Sequence, residues 1–201
     1  MGFFTEEIAI DLGTANTLII HNDKVVINSP SIVAMDRSSK KIIAIGEEAK
    51  FMQGKTHENI KTIRPLKDGV IADFEASEKM ISELIKSIPT LKKRWFSPSL
   101  TMVICIPSGI TEVEMRAVKE SAERVNGKDV YLIHERMAAA IGIGIDIVKP
   151  KGNMVVDIGG GTTEIAVIAL SGIVCEKSLK VAGDVLTNDI VYYMRTKHNL
   201  Y

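Results

Sequence analysis

The 201-residue sequence predicts an α/β fold built from two related halves, and three observations carry that reading. Short apolar strand runs alternate with amphipathic helical stretches, the order of a layered α/β protein. Residues 153–170 read Asn-Met-Val-Val-Asp-Ile-Gly-Gly-Gly-Thr-Thr-Glu-Ile-Ala-Val-Ile-Ala-Leu, two strands around a glycine turn. The same unit stands near the N-terminus, where residues 8–20 read Ile-Ala-Ile-Asp-Leu-Gly-Thr-Ala-Asn-Thr-Leu-Ile-Ile. Asp11 and Asp157, Gly13 and Gly159, Thr17 and Thr163 are all 146 positions apart (157 − 11, 159 − 13, 163 − 17). A supersecondary unit repeated at constant offset marks duplicated halves that face one ligand.

In chain order, Phe3 and Phe4 precede the first strand and either pack on the core or form a small membrane foot. After the first hairpin, residues 24–27 and 31–35 continue the strand pattern, with Pro30 at an edge or turn. Residues 41–45 read as a strand and 47–53 as a short helix, so a small inserted subdomain is expected over about residues 30–60. Met80, Ile81, Leu84, Ile85 and Ile88 share one face of a helix over 75–88, which Pro89 ends. A basic loop follows, Lys-Lys-Arg-Trp-Phe-Ser-Pro over 92–98. Residues 100–106 are a buried strand. Thr-Glu-Val-Glu at 111–114 is a capping box opening a helix to about Asn126. Residues 130–133 are a strand, and Glu135 starts an alanine-rich helix. Beyond the second hairpin come a strand over 174–181 and a helix, capped by Asp184, that carries Leu186, Ile190, Val191 and Met194. The halves divide near Val-Lys-Pro-Lys-Gly at 148–152, giving 1–148 and 149–201.

Composition narrows the function. The chain carries 25 acidic and 25 basic side chains, a pI near 6.9 and 5% aromatics, which argues against a nucleic-acid binder. Cys105 and Cys175 lie in apolar strand patterns without metal spacing and read as buried free thiols. No apolar run reaches the roughly 18 residues of a membrane span. His21 and His57 sit in polar stretches and read as surface residues, as does Glu164 from its alternation with Ile165.

The hairpins carry the chemistry. Glycines let a ligand approach the backbone. Their N–H groups and the hydroxyls of Thr162 and Thr163 are donors for phosphate oxygens. Asp11 and Asp157, each leaving a strand, are acceptors suited to a phosphate-bound Mg²⁺. One hairpin alone also reads as a turn with spare glycines; the second copy favours the phosphate clamp.

The paired hairpins resemble the actin, hexokinase and DnaK-type chaperone superfamily. Ile-Arg-Pro-Leu-Lys-Asp-Gly-Val-Ile-Ala-Asp-Phe at 63–74 and Met-Ala-Ala-Ala-Ile-Gly at 137–142 are similar to the MreB-type bacterial actins, as are both hairpins. The similarity runs from about Glu7 to the end. It implies an actin-like, ribonuclease-H-like ATPase fold whose first half is complete and whose second is only begun, in a truncated or fragmentary chain. It implies ATP and Mg²⁺ as ligands, with Gly13, Thr14, Ala15, Asn16, Thr17, Gly159, Gly160, Gly161, Thr162 and Thr163 at the phosphates and Asp11 and Asp157 at the metal, through water. Glu135 aligns with the family's water-positioning glutamate. Arg136 stands where the motif has proline, and His134 where a second acid is common. Trp95 and Phe96 match a loop that in this family enters the bilayer; the alternative is that one of them folds back to cover the helix over 75–88. The implied role is an ATP-hydrolysing cytoskeletal filament, cytoplasmic and peripheral to the inner membrane, that directs wall synthesis and keeps rod shape. Its partners would be copies of itself and the membrane proteins of the wall-synthesis complex, and not nucleic acid. A sugar- or acetate-type kinase and a chaperone ATPase share the hairpins and are the alternatives.

Overall fold

The computed structural model describes residues 5–67, 70–92, 98–107 and 109–200, with Thr90 and Lys92 described through their backbone alone. The chain forms two compact units that divide between Ile133 and His134.

In the first unit, β1 Thr5–Leu12, β2 Asn16–His21 and β3 Lys24–Pro30 follow one another as antiparallel hairpins. Asn22 and Asp23, both at positive φ (52° and 57°), make the two-residue turn between β2 and β3, where such residues match the strand twist. β4 Val33–Asp36, β5 Ile42–Ile45 and β6 Ile60–Ile63 build a small sheet in the order β5-β4-β6. With α1 Gly46–Met52 they enclose a core of Ile32, Ala34, Ala44 and Ala49. In the turn after β4, the hydroxyls and amides of Ser38 and Ser39 donate to Asp36, the Ser38 hydroxyl foremost, and hold its pKa down to about 2. β7 Leu66–Lys67 pairs with β8 Val70–Ile71.

α2 Phe74–Ser87 is capped by Asp73, whose carboxylate accepts the Ala76 N–H at 3.0 Å. All five residues of the predicted apolar face are buried. Pro89 opens a single turn, α3 Pro89–Lys92. β9 Ser99–Ile106 runs parallel to β1, which requires the long helical crossover between them. The capping box at Thr111 and Glu114 forms as expected and starts α4 Glu112–Arg124. β10 Gly127–His134 completes a five-stranded sheet in the order β10-β9-β1-β2-β3. Alternate residues Ile8, Ile10 and Leu12 of β1 and Leu100, Met102 and Ile104 of β9 pack with Met80, Ile81 and Leu84 of α2 in the main core.

The second unit holds α5 Glu135–Gly142, β11 Asn153–Ile158, β12 Thr163–Ala169, β13 Gly172–Leu179 and α6 Gly183–His198. The strands form an antiparallel sheet in that order. Ala140 of α5 packs on Val155, Ala166 and Ile168. This packing places α5 in the second compact unit, whereas composition puts the change of halves at 148–152.

Several sequence expectations need correcting. Asp184 does not cap the last helix: it is the second residue of α6, and the cap position is Ala182, without a side-chain hydrogen bond. His21 is buried rather than on the surface. It falls on the inward face of β2 with Thr17 and Ile19, and its Nε2 lies 2.9 Å from Glu6 Oε2. Cys175 is exposed, because β13 is the outer strand of its sheet, and Cys105 is half-buried. The strands β6, β7 and β8 were not expected; at four, two and two residues they are too short to show a period.

The β12–β13 turn places Leu170 and Ser171 at φ 51° and 59°. This left-handed region disfavours a branched side chain by about 1–2 kcal/mol relative to right-handed backbone. Leu170 is largely exposed, so its side chain contributes little packing there. Leu170→Asn is therefore expected to raise stability by about 0.5–1 kcal/mol in a urea titration, asparagine tolerating the same backbone. A destabilised variant would mean that the leucine makes compensating contacts.

Candidate functional site

The two glycine hairpins share one register. Asp11 pairs with Leu18 and Leu12 with Thr17; in the second copy Asp157 pairs with Glu164 and Ile158 with Thr163. Each pair in one copy lies 146 positions from its counterpart in the other. Both turns close tightly on their first glycine. A Cβ on Gly13 would stand 2.6 Å from Asn16 O, and one on Gly159 would stand 3.3 Å from Thr162 O. The first contact excludes any side chain without moving backbone, and the second is tighter than ordinary packing.

Several carbonyls of both loops accept hydrogen bonds from the protein. In the first, Ser31 donates its hydroxyl to Gly13 O at 2.6 Å and its amide to Ala15 O at 2.9 Å. In the second, the Gly159 amide donates to Thr162 O at 2.9 Å. The start of α6 does the rest, with Gly183 N–H donating to Gly159 O at 3.1 Å and Asp184 N–H to Gly160 O at 2.8 Å. These bonds hold the loop backbones in place, and backbone N–H groups in such turns are the kind of donor that suits phosphate oxygens.

The predicted residues take distinct places. Thr14 and Thr162 are buried in their loops, Asn16 is exposed, and Ala15 and Gly160 are half-buried. Gly161 is buried beside Thr162. The hydroxyls of the two repeat threonines have partners within the fold: Thr17 Oγ1 lies 3.0 Å from Ser31 Oγ, and Thr163 donates to Val181 O at 2.7 Å. Asp11 and Asp157 are half-buried, one residue before the end of β1 and β11. Each hairpin thus offers one aspartate near the end of its first strand. No cluster of three or more His, Cys, Asp or Glu side chains is set to hold a metal among the described residues. Taken hairpin by hairpin, a single aspartate is a donor that Mg²⁺ can use, since that ion keeps most of its waters and takes one or two carboxylates. Glu135 is half-buried at the first position of α5, where the helix dipole favours a negative charge. Phe3, Phe4, Trp95 and Phe96 lie outside the described residues.

Glu164 is not solvent-facing. It is buried on the α5 side of the sheet, with Arg136 Nε 3.3 Å from its Oε2 and the Ser178 hydroxyl donating to Oε1 at 3.4 Å. The Nε–H is not aimed at the carboxylate, so that contact is coulombic rather than a hydrogen bond. Arg136 is fully buried; it also donates through Nη2 to Glu176 Oε2 at 2.6 Å and through Nη1 to Ile165 O at 3.4 Å. A signal for this pair was present. Residues 163–169 are apolar on both faces apart from the strand's first two residues, so a carboxylate inside such a central strand requires a partner.

Two hairpins of identical register, each with one aspartate and a tight glycine loop in a mixed α/β frame, define an actin-like protein. The family model described as MreB/Mbl protein matches residues 5–201, and the chain belongs to that family. It is 50% identical over 198 residues to the cell shape-determining protein Mbl of Bacillus subtilis, covering 98% of this chain and 59% of that one. It is 47% identical over 202 residues to the cell shape-determining protein MreB of Escherichia coli, covering 98% and 58%. The fold superposes on the crystal structure of MreB5 of Spiroplasma citri bound to ADP with a TM-score of 0.85, at 38% identity over 99% of this chain and 59% of that one. The same protein bound to AMPPNP gives 0.84, at 39% identity over 98% and 58%. The chain thus spans somewhat over half the length of the relatives it matches.

Proposed function

We propose that this chain belongs to a filament-forming, ATP-hydrolysing cytoskeletal protein that maintains rod shape by directing wall synthesis at the inner face of the cell membrane. The observation that carries this is the duplicated glycine hairpin of identical register with one aspartate in each copy. Relatives named as cell shape-determining proteins support it, and so does the ADP- and AMPPNP-bound state of the Spiroplasma citri protein. The same relatives disfavour a sugar- or acetate-type kinase.

In this reading the N–H groups of Thr14, Ala15 and Asn16 and of Gly160, Gly161 and Thr162 donate to phosphate oxygens. Gly13 and Gly159 keep the loops open to close approach. Thr17 and Thr163 brace the returning strands beneath them. Asp11 and Asp157 are the residues that would hold Mg²⁺, through water, and the ion would supply charge neutralisation at the phosphates. Glu135 accepts a proton from the attacking water and orients it. Trp95 and Phe96, behind Lys92, Lys93 and Arg94, anchor the filament to anionic lipid. Burying the two rings contributes roughly 3–6 kcal/mol at most, and each basic residue about 1 kcal/mol near the surface. No helix among the described residues is long and apolar enough to cross a membrane.

Sedimentation of the full-length protein tests this. Polymer is expected to pellet with Mg·ATP and not without nucleotide, and to carry anionic vesicles with it. A protein that stays monomeric in every nucleotide state overturns the filament reading. A Trp95→Ser, Phe96→Ser variant is expected to pellet as polymer but to leave the vesicles behind. Full vesicle binding by that variant would move the anchor to Phe3 and Phe4.

A further inference from the structure

We propose that Arg136 is a positioning residue: its buried guanidinium, held between Glu164 and Glu176, fastens the first turn of α5 to the second hairpin and so sets where Glu135 points. This rests on the role proposed above for Glu135. Three observations carry it. Arg136 is among the largest fully buried side chains, in the first turn of a helix whose cap residue, His134, makes no side-chain cap. No side chain at the cap position ties that turn, and the Arg136 ion pairs tie it to the sheet. The guanidinium reaches two strands at once, Glu164 and Ile165 of β12 and Glu176 of β13. Last, Glu164 stands directly across from Asp157 in the ladder, and across from Ser178 on its other side. Opposed carboxylates repel. The Arg136 cation beside Glu164 offsets that repulsion, and so the same side chain ties the helix bearing Glu135 to the strand pair bearing Asp157.

A fork of donors on a buried arginine aims more tightly than a lysine point charge would. Its removal alone would take a buried cation away from Glu164, so the test removes that charge as well. Two variants of the full-length protein are compared: Arg136→Met with Glu164→Gln, and Arg136→Pro with Glu164→Gln. Proline is tolerated in a first helical turn, where its N–H has no acceptor, and it fixes φ without any ion pair. Hydrogen exchange is read at the Ala139 and Ala140 amides, which bond back to residues 135 and 136 in an α-helix. ATP turnover and Mg·ATP affinity are read beside it.

The methionine variant is expected to exchange at these amides about tenfold faster or more. It should lose about tenfold or more in turnover with affinity nearly unchanged, because a misaimed group acts on the reaction step and not on binding. The proline variant is expected to recover most of both. Wild-type exchange and turnover in the methionine variant would overturn the proposal, and so would equal losses in the two variants. Faster exchange with unchanged turnover would also overturn it, since Arg136 would then only brace the fold. A wild type that neither binds nor hydrolyses nucleotide sinks the proposed function instead, and the exchange comparison alone then decides whether Arg136 holds α5.

Discussion

Replacing Glu135 by alanine is expected to lower ATP turnover by about 100-fold or more while leaving Mg·ATP affinity within about threefold. The carboxylate stands at the first position of α5, and no residue of either glycine loop belongs to that helix. In the proposed function its loss would remove the group that orients the attacking water and would leave the loop donors in place. The stability effect is small: a single acid at a helix N-terminus contributes about 0.3–1 kcal/mol. Asp11→Ala and Asp157→Ala are expected to behave differently. Each removes an acceptor at a strand end where the metal's waters would bind, and a hydrogen bond to a charged group is worth about 1.5–3 kcal/mol. Mg·ATP affinity should fall roughly 10- to 100-fold in each. Calorimetry and steady-state hydrolysis on the three variants separate the roles. Unchanged turnover in Glu135→Ala would move water orientation to another residue, and unchanged affinity in both aspartate variants would remove the metal from the hairpins.

What could be read from the sequence follows from how local each feature is. Both hairpins were legible because glycine turns, strand alternation and the constant offset are properties of neighbouring residues, and the observed registers repeat that offset pair by pair. The capping box of α4 and the apolar face of α2 were legible for the same reason. The Arg136–Glu164–Glu176 network was not. It joins residues 28 and 40 positions apart through the packing of α5 on its sheet, and alternation with Ile165 pointed the wrong way because both faces of β12 are largely apolar. His21 failed similarly. Its sequence neighbours Asn22 and Asp23 are polar because they form a turn, while the β2 alternation that turns His21 inward ends just before them.

Ile104→Ala is expected to destabilise the first unit by about 2–5 kcal/mol, the largest stability effect among these predictions. Ile104 is fully buried on β9 and lies opposite Ile10 of β1 in the parallel ladder. Strands on both sides and the helical layer restrict how far the neighbours can move into the space left by the missing side chain, so the cavity term adds to the lost transfer energy. Ile104→Val, which removes one methylene, should cost about 0.5–1.5 kcal/mol, and the pair gives a graded series at one site. Phe51→Ser is the control. Although aromatic, Phe51 is 75% exposed on α1, and its replacement should change stability by no more than about 0.5 kcal/mol. Urea unfolding followed by far-ultraviolet circular dichroism reads all three. Because the chain forms two units, the transition is fitted for two steps before any free energy is assigned. A loss below about 1 kcal/mol in Ile104→Ala would mean that the sheet relaxes around the cavity, and that the five-stranded core is looser than its burial implies.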